Sequence, residues 1–117
     1  MTSVMTTIYK ILPASLWDEA KSAGVFRGAP VDLADGYIHF STAEQAAETA
    51  AKHFAGQHDL MLLHVDANGL GDALKWEPSR GGALFPHLYA ELDLSHVSRA
   101  DPLPLGADGR HVFPPLT

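Results

Sequence analysis

Residues 59–66 read DLMLLHVD, a run with too little polar alternation to leave one face for water. A strand that is apolar on both faces has to lie inside a sheet with other layers packed above and below it. The rest of the chain must supply those layers. Ile8–Leu12 (IYKIL) reads as a second strand, rich in β-branched and aromatic residues and ended by Pro13. Helical spacing follows. Ser15 with Asp18 resembles a cap, Leu16, Ala20 and Ala23 share a face, and Gly24 is placed to stop the helix. A longer helix opens at Ser41, whose S-x-x-E spacing to Glu44 predicts a capping box, and runs to about Ala55 before Gly56. Its Ala43, Ala46, Ala47, Ala50, Ala51 and Phe54 fall on one face. Small residues there let the helix approach a sheet closely, and the sheet expected is the one containing Leu60–Val65.

Between these elements, Val25–Gly36 carries turn formers and little periodicity, which predicts a surface loop. Tyr37–Phe40 reads as a short strand, Ala73–Glu77 as a strand with Leu74 and Trp76 on one side, and His96–Ala100 as a further strand. The stretch 101–117 holds four of the eight prolines and is expected to be loop-like. Strand, helix, strand, helix and then several strands point to an α+β fold rather than a regularly alternating parallel one. At 117 residues, one domain spanning 1–117 is expected.

Composition narrows the chemistry. With no Cys, disulfides, thiol nucleophiles and thiolate metal sites are excluded. A net charge of −6, with basic residues scattered singly, makes nucleic acid an unfavoured partner, while a single small anion can still be held locally. No run of apolar residues is long enough for a membrane span, and no basic-then-apolar leader pattern opens the sequence, so the cytoplasm is the expected location. Neither G-x-G-x-x-G nor G-x-x-x-x-G-K occurs, which argues against a doubly wound nucleotide fold.

Two stretches carry the candidate chemistry. In DGYIHFSTAEQ (35–45), His39, Ser41 and Thr42 sit at a strand-to-helix junction, where a helix N-terminus offers free N–H groups to a phosphate or carboxylate; the competing explanation is a cap beside a satisfied imidazole. In WEPSRGGALFPHLY (76–89), an acid, a guanidinium, two glycines, an imidazole and several aromatics are gathered in what reads as a long loop. Its alternative is a surface loop anchored by Trp76 and Phe85, with Glu77 paired to Arg80. The seven His include no H-E-x-x-H or His-x-His spacing, so no metal site is expected. Ser41 lacks the G-x-S-x-G elbow of a serine hydrolase. Tyr9, Tyr37, Trp76, Phe85 and Tyr89 could wall a pocket for a flat ring or simply fill the core.

Taken together, IYKI, DGYIHFSTAEQ and WEPSRGGALFPHLY resemble the domain-of-unknown-function family numbered 952 over nearly the whole chain. That family is similar in fold to ADP-ribosylation proteins, which implies a split β-sheet with two main helices and a cleft for NAD as substrate. The resemblance places Lys10 where those enzymes carry Arg or His on the first strand, and sets Ile38–Thr42 on the second. Glu77 or Glu91 falls at the acidic position of a later strand. It implies catalytic roles for Glu77, holding ribose hydroxyls, and His39, orienting the ribose. Tyr37 or Tyr89 would stack nicotinamide, Arg80 and the Ser41–Thr42 helix end would hold pyrophosphate, and Lys10 and His87 would complete the binding set. Two other readings use the same residues: a nucleotide- or anion-binding module without turnover, and a domain that docks a protein partner.

Overall fold

The computed structural model describes residues 6–79 and 82–116. The apolar run lies where its composition requires. Strand β4 (Leu60–Asp66) is the middle of a three-stranded antiparallel sheet, with β1 (Thr7–Pro13) on one side and β8 (Val97–Leu103) on the other. Alternation along β1 divides the core in two. Ile8 and Leu12 join Leu63, Val65, Phe26, Leu88 and Leu92 on one face, while Tyr9 and Ile11 join Leu60, Leu62 and Leu103 on the other. Each fully buried Leu or Ile contributes about 1.5–3 kcal/mol through the area it removes from water. Lys10 lies on the first of these faces, between Ile8 and Leu12, and is buried.

Helix α1 (Ala14–Ala23) ends at Gly24, whose φ of 79° is left-handed as a C-cap requires. Its N-terminus departs from expectation. Pro13 occupies the cap position with no side-chain hydrogen bond, the Ala14 N–H donates to the Asp59 carbonyl at 2.7 Å, and Asp18 pairs with Lys21 at the surface. The longer helix, α3 (Ala43–His53), is shifted by one residue from the expected capping box. Thr42 Oγ1 accepts from the Gln45 N–H and Gln45 Oε1 accepts from the Thr42 N–H. Ser41 does not cap, because its hydroxyl is shared with Thr49 at 2.8 Å and its N–H and C=O are both bonded to Tyr9 at 2.8 Å. The alanine face is narrower than the pattern suggested: Ala46 and Ala50 are buried with Ala43 and Phe54 half-buried, but Ala47 and Ala51 are exposed. That narrow stripe packs α3 onto β1 and the Leu60–Leu62 side of β4.

The expected surface loop 25–36 is instead structured. It holds β2 (Val25–Phe26), which pairs with β7 (Leu92–Asp93), and α2 (Pro30–Asp35), which starts with Pro at its first turn and ends at Gly36 with φ of 88°. Asp32 in that first turn is buried and accepts the Ala29 N–H at 2.8 Å. Gly28, at φ of 126°, gives α2 its close approach: a Cβ there would sit 3.0 Å from the Asp32 Cβ.

The stretch 76–89 is likewise mostly strand rather than loop, 76–79 and 83–88 pairing antiparallel. β6 (Ala83–Leu88) is the middle strand of a second sheet between β3 (Ile38–His39) and β5 (Leu74–Ser79). Trp76 is 43% exposed and is no core anchor, whereas Phe85 is buried. Pro86 lies inside this central strand, where its carbonyl accepts from Phe40. β8 continues to Leu103, so the C-terminal irregular stretch starts later than expected; its Pro102 is tolerated because β8 is an edge strand. The two three-stranded sheets meet at the Tyr9–Ser41 bridge. The architecture is α+β, with three α-helices and antiparallel sheets among the described residues, none of the helices being long and apolar enough to cross a membrane.

Candidate functional site

A cavity of about 480 Å³ opens where the two sheets meet. Strand alternation explains its lining. Tyr37, His39 and Ser41 project from the β3 segment onto the same side as Phe85 and His87 of β6, and Tyr9 and Lys10 close it from β1. His39 and His87 are direct partners in the β3–β6 register, and their ring centroids lie 5.5 Å apart. Tyr37 bridges them, 4.6 Å from the His39 ring and stacked on His87 at 4.2 Å.

Behind His39 lies a buried charge network. Lys10 Nζ is 3.0 and 2.9 Å from the two Asp32 carboxylate oxygens, and the His39 backbone N–H donates to Asp32 at 3.1 Å. His39 Nδ1 is 2.6 Å from Asp32 Oδ1, while its Nε2 is 2.9 Å from Asp35 Oδ2. Both carboxylates can only accept, so the arrangement is complete when both ring nitrogens of His39 carry protons. Burial alone would raise Asp32, but the His39 hydrogen bond and the Lys10 ammonium outweigh it and bring the carboxyl down to about 2. Burial pushes Lys10 below the usual lysine range, with Asp32 pulling the other way.

A second network stands at the rim. Glu77 Oε1 lies 2.9 Å from His87 Nδ1 and accepts the Tyr89 O–H at 2.7 Å. These two hydrogen bonds, first from His87 and then from Tyr89, hold the Glu77 carboxyl below its ordinary value. The same bond to Glu77 pushes the Tyr89 phenol up to about 12. Burial raises Tyr37, with Asp35 and Glu77 adding to it.

Of the residues singled out in the sequence, Lys10, Tyr37, His39, Ser41 and His87 line this cavity. Glu77 reaches it through His87. Thr42 is occupied in capping α3. Tyr89 lies against Tyr37 at 5.1 Å and lines a neighbouring cavity of about 310 Å³ together with Arg27 and Glu91. Arg80 lies outside the described residues. Ser41 offers no free helix end, since its hydroxyl is shared with Thr49 at 2.8 Å and its backbone with Tyr9. Asp32 and Asp35 were missed in the supposed loop. The available signal was A-P-V-D, a Pro at the first helical position with an acid two residues on. Among the described residues no cluster of three His, Cys, Asp or Glu side chains is arranged to hold a metal ion.

Comparison with known proteins adds the lineage. Protein CC0527 from Caulobacter crescentus, solved by X-ray crystallography, shares 59% identity and superposes with a TM-score of 0.88, covering 92% of this chain and 94% of that one. Its solution NMR structure shares 60% identity at a TM-score of 0.82, covering 91% of each chain. No curated protein matches the sequence. The family described as "Protein of unknown function (DUF952)" matches residues 11–100, and the chain belongs to that family.

Proposed function

We propose that this chain binds a nucleotide of the NAD or ADP-ribose class in the cleft between its two sheets and acts on the bond that joins the ribose to its base. The observation that carries the reading is the convergence of two carboxylate-held imidazoles, His39 on Asp32 and His87 on Glu77, on one cavity with Tyr37 between them. Two three-stranded sheets meeting at one bridge, with the cavity at their junction, suit an ADP-ribosylation-like split sheet.

Electrostatics favours the same chemistry. The imidazoles aside, the site holds the ammonium groups of Lys10 and Lys75 against the carboxylates of Asp32, Asp35 and Glu77, an excess of negative charge. Such a balance stabilises positive charge developing at the ribose C1′ and disfavours a polyphosphate seated directly on the imidazoles. Glu77 Oε1 is occupied by His87 and Tyr89, so Oε2 is the oxygen that would accept from a ribose hydroxyl. Tyr37 supplies the face on which a flat base would stack.

Calorimetric titration with NAD and with ADP-ribose, paired with an assay of nicotinamide release, tests the proposal. Saturable binding with release that Glu77→Gln abolishes is the expected result. The occupied Glu77 oxygen also favours a second reading, a binding module without turnover. Saturable binding with no nicotinamide after long incubation would select it, and absence of any binding would sink both.

A further inference from the structure

His39 has no ring nitrogen to spare, since Asp32 and Asp35 each take one. His87 differs. Its Nδ1 faces Glu77, but its Nε2 has no partner among the described residues, although the residue is 3% exposed and lines the cavity. Glu77 accepts at the same oxygen from the Tyr89 hydroxyl, so it meets His87 as a carboxylate. A carboxylate cannot donate, so the neutral ring carries its proton on Nδ1 and a lone pair on Nε2. A buried acceptor directed at a cavity calls for a donor from whatever occupies that cavity.

Resting on the ribosyl-bond reading above, we propose that His87 Nε2 is the general base that takes the proton of the attacking water or acceptor hydroxyl, and that Glu77, besides its contact with the ribose through Oε2, positions the ring through Oε1. The oxygen forms its bond to the ribose C1′ as its O–H proton passes to Nε2. The bond from C1′ to the nicotinamide nitrogen breaks, and nicotinamide leaves neutral with the electron pair. The imidazolium so formed keeps its Nδ1–H on Glu77. The charged and titratable groups around it are Glu77 and Lys75 from β5, Tyr89 just past its own strand, and Tyr37 and His39 opposite, with Lys10 of β1 and Asp32 and Asp35 of α2 behind His39 and Tyr9 and His53 elsewhere on the cavity wall. The imidazoles aside, three carboxylates stand against two ammonium groups in that set, which favours the imidazolium as it forms.

His87→Asn keeps an amide donor near the Nδ1 position and removes Nε2. Nicotinamide release from NAD should fall on the order of 10²-fold or more in kcat with KM little moved, and the rising limb of the pH–rate profile should disappear. Two-bond ¹H–¹⁵N imidazole spectra of the unmodified protein supply a measurement that needs neither turnover nor a stable variant. The neutral His87 ring should be protonated at Nδ1 and bare at Nε2. A proton on Nε2 overturns the base assignment whatever the turnover. Release that survives in a folded His87→Asn overturns the base while leaving the ribosyl-bond reading standing. An unmodified protein that neither binds NAD nor releases nicotinamide overturns that reading and the base with it.

Discussion

Two carboxylate–imidazole networks flank Tyr37, and they differ in depth. In the inner one the Lys10 and Asp32 side chains are 6% and 1% exposed, while in the outer one Glu77 is 38% exposed and Tyr89 45%. Depth changes what each can do. Lys10 and Asp32 have left water and depend on one another, so removing either strands the other. At the rim, water can replace a lost partner of Glu77 or Tyr89 at little cost, so those two groups are free to exchange a protein contact for a ligand, while His87 beside them is buried. The inner network therefore fixes α2 and the position of His39. On the proposed reading, proton transfer and substrate contact belong to the outer one.

The sharpest way to break this contrast is Asp32→Asn, which keeps the shape and removes the charge. It leaves the Lys10 ammonium buried without a counter-ion and His39 with one carboxylate fewer. A loss of about 3–5 kcal/mol in chemical denaturation is expected. A loss below about 1 kcal/mol would place the inner network on the same footing as the rim.

Acid should produce the next largest effect. Asp32 is depressed from 3.8 to about 2 in the folded chain, the first force against its burial being the His39 hydrogen bond and the second the Lys10 ammonium. A carboxyl whose folded pKa is lowered stabilises the fold fully above its unfolded value and loses that contribution as pH falls through the folded one. About 2–3 kcal/mol should thus be present at pH 5 and disappear between roughly pH 4 and pH 2. Denaturation of the unmodified chain and of Asp32→Asn across that range checks it, because their difference should shrink below pH 4. A constant difference would show that Asp32 acts through packing alone.

The same contrast explains what the sequence revealed. Leu60–Asp66, Thr7–Pro13 and the helix after Thr42 were legible because local pattern and tertiary environment agree there. Residues 25–36 were not, since β2 and β7 pair only two residues each across a separation of more than sixty positions, and α2 is too short to show periodicity. Pro86 hid β6, because a proline in a central strand contradicts the usual placement. His39 and His87 could each be singled out from composition. Their cross-strand pairing depends on the β3–β6 register, which no local signal fixes. Asp32, the most buried charged group of the site, escaped because its partners Lys10 and His39 are far from it in sequence or hidden behind an apparent loop.

The smallest expected change is also the one that isolates the rim. Glu77→Gln removes a charge that contacts only His87 and Tyr89 among the interactions described for it, and both bonds lie at the cavity mouth. The midpoint of thermal unfolding should stay in place, in contrast to Asp32→Asn, because a glutamine oxygen can still accept from the phenol and water can solvate the rest. The phenol itself should respond. Tyr89 is pushed up to about 12, first by its hydrogen bond to the Glu77 carboxylate, then by burial and by the Glu77 charge. A neutral amide takes away the charge and weakens the bond, so Tyr89 should ionise closer to the ordinary value of about 10, visible as phenolate absorbance at lower pH. Tyr37, also raised in part by Glu77, should move in the same direction by less. Unfolding of the variant instead, with the phenol transition unmoved until the chain opens, would mean that Glu77 is as structural as Asp32 and that the two networks are a single buried unit.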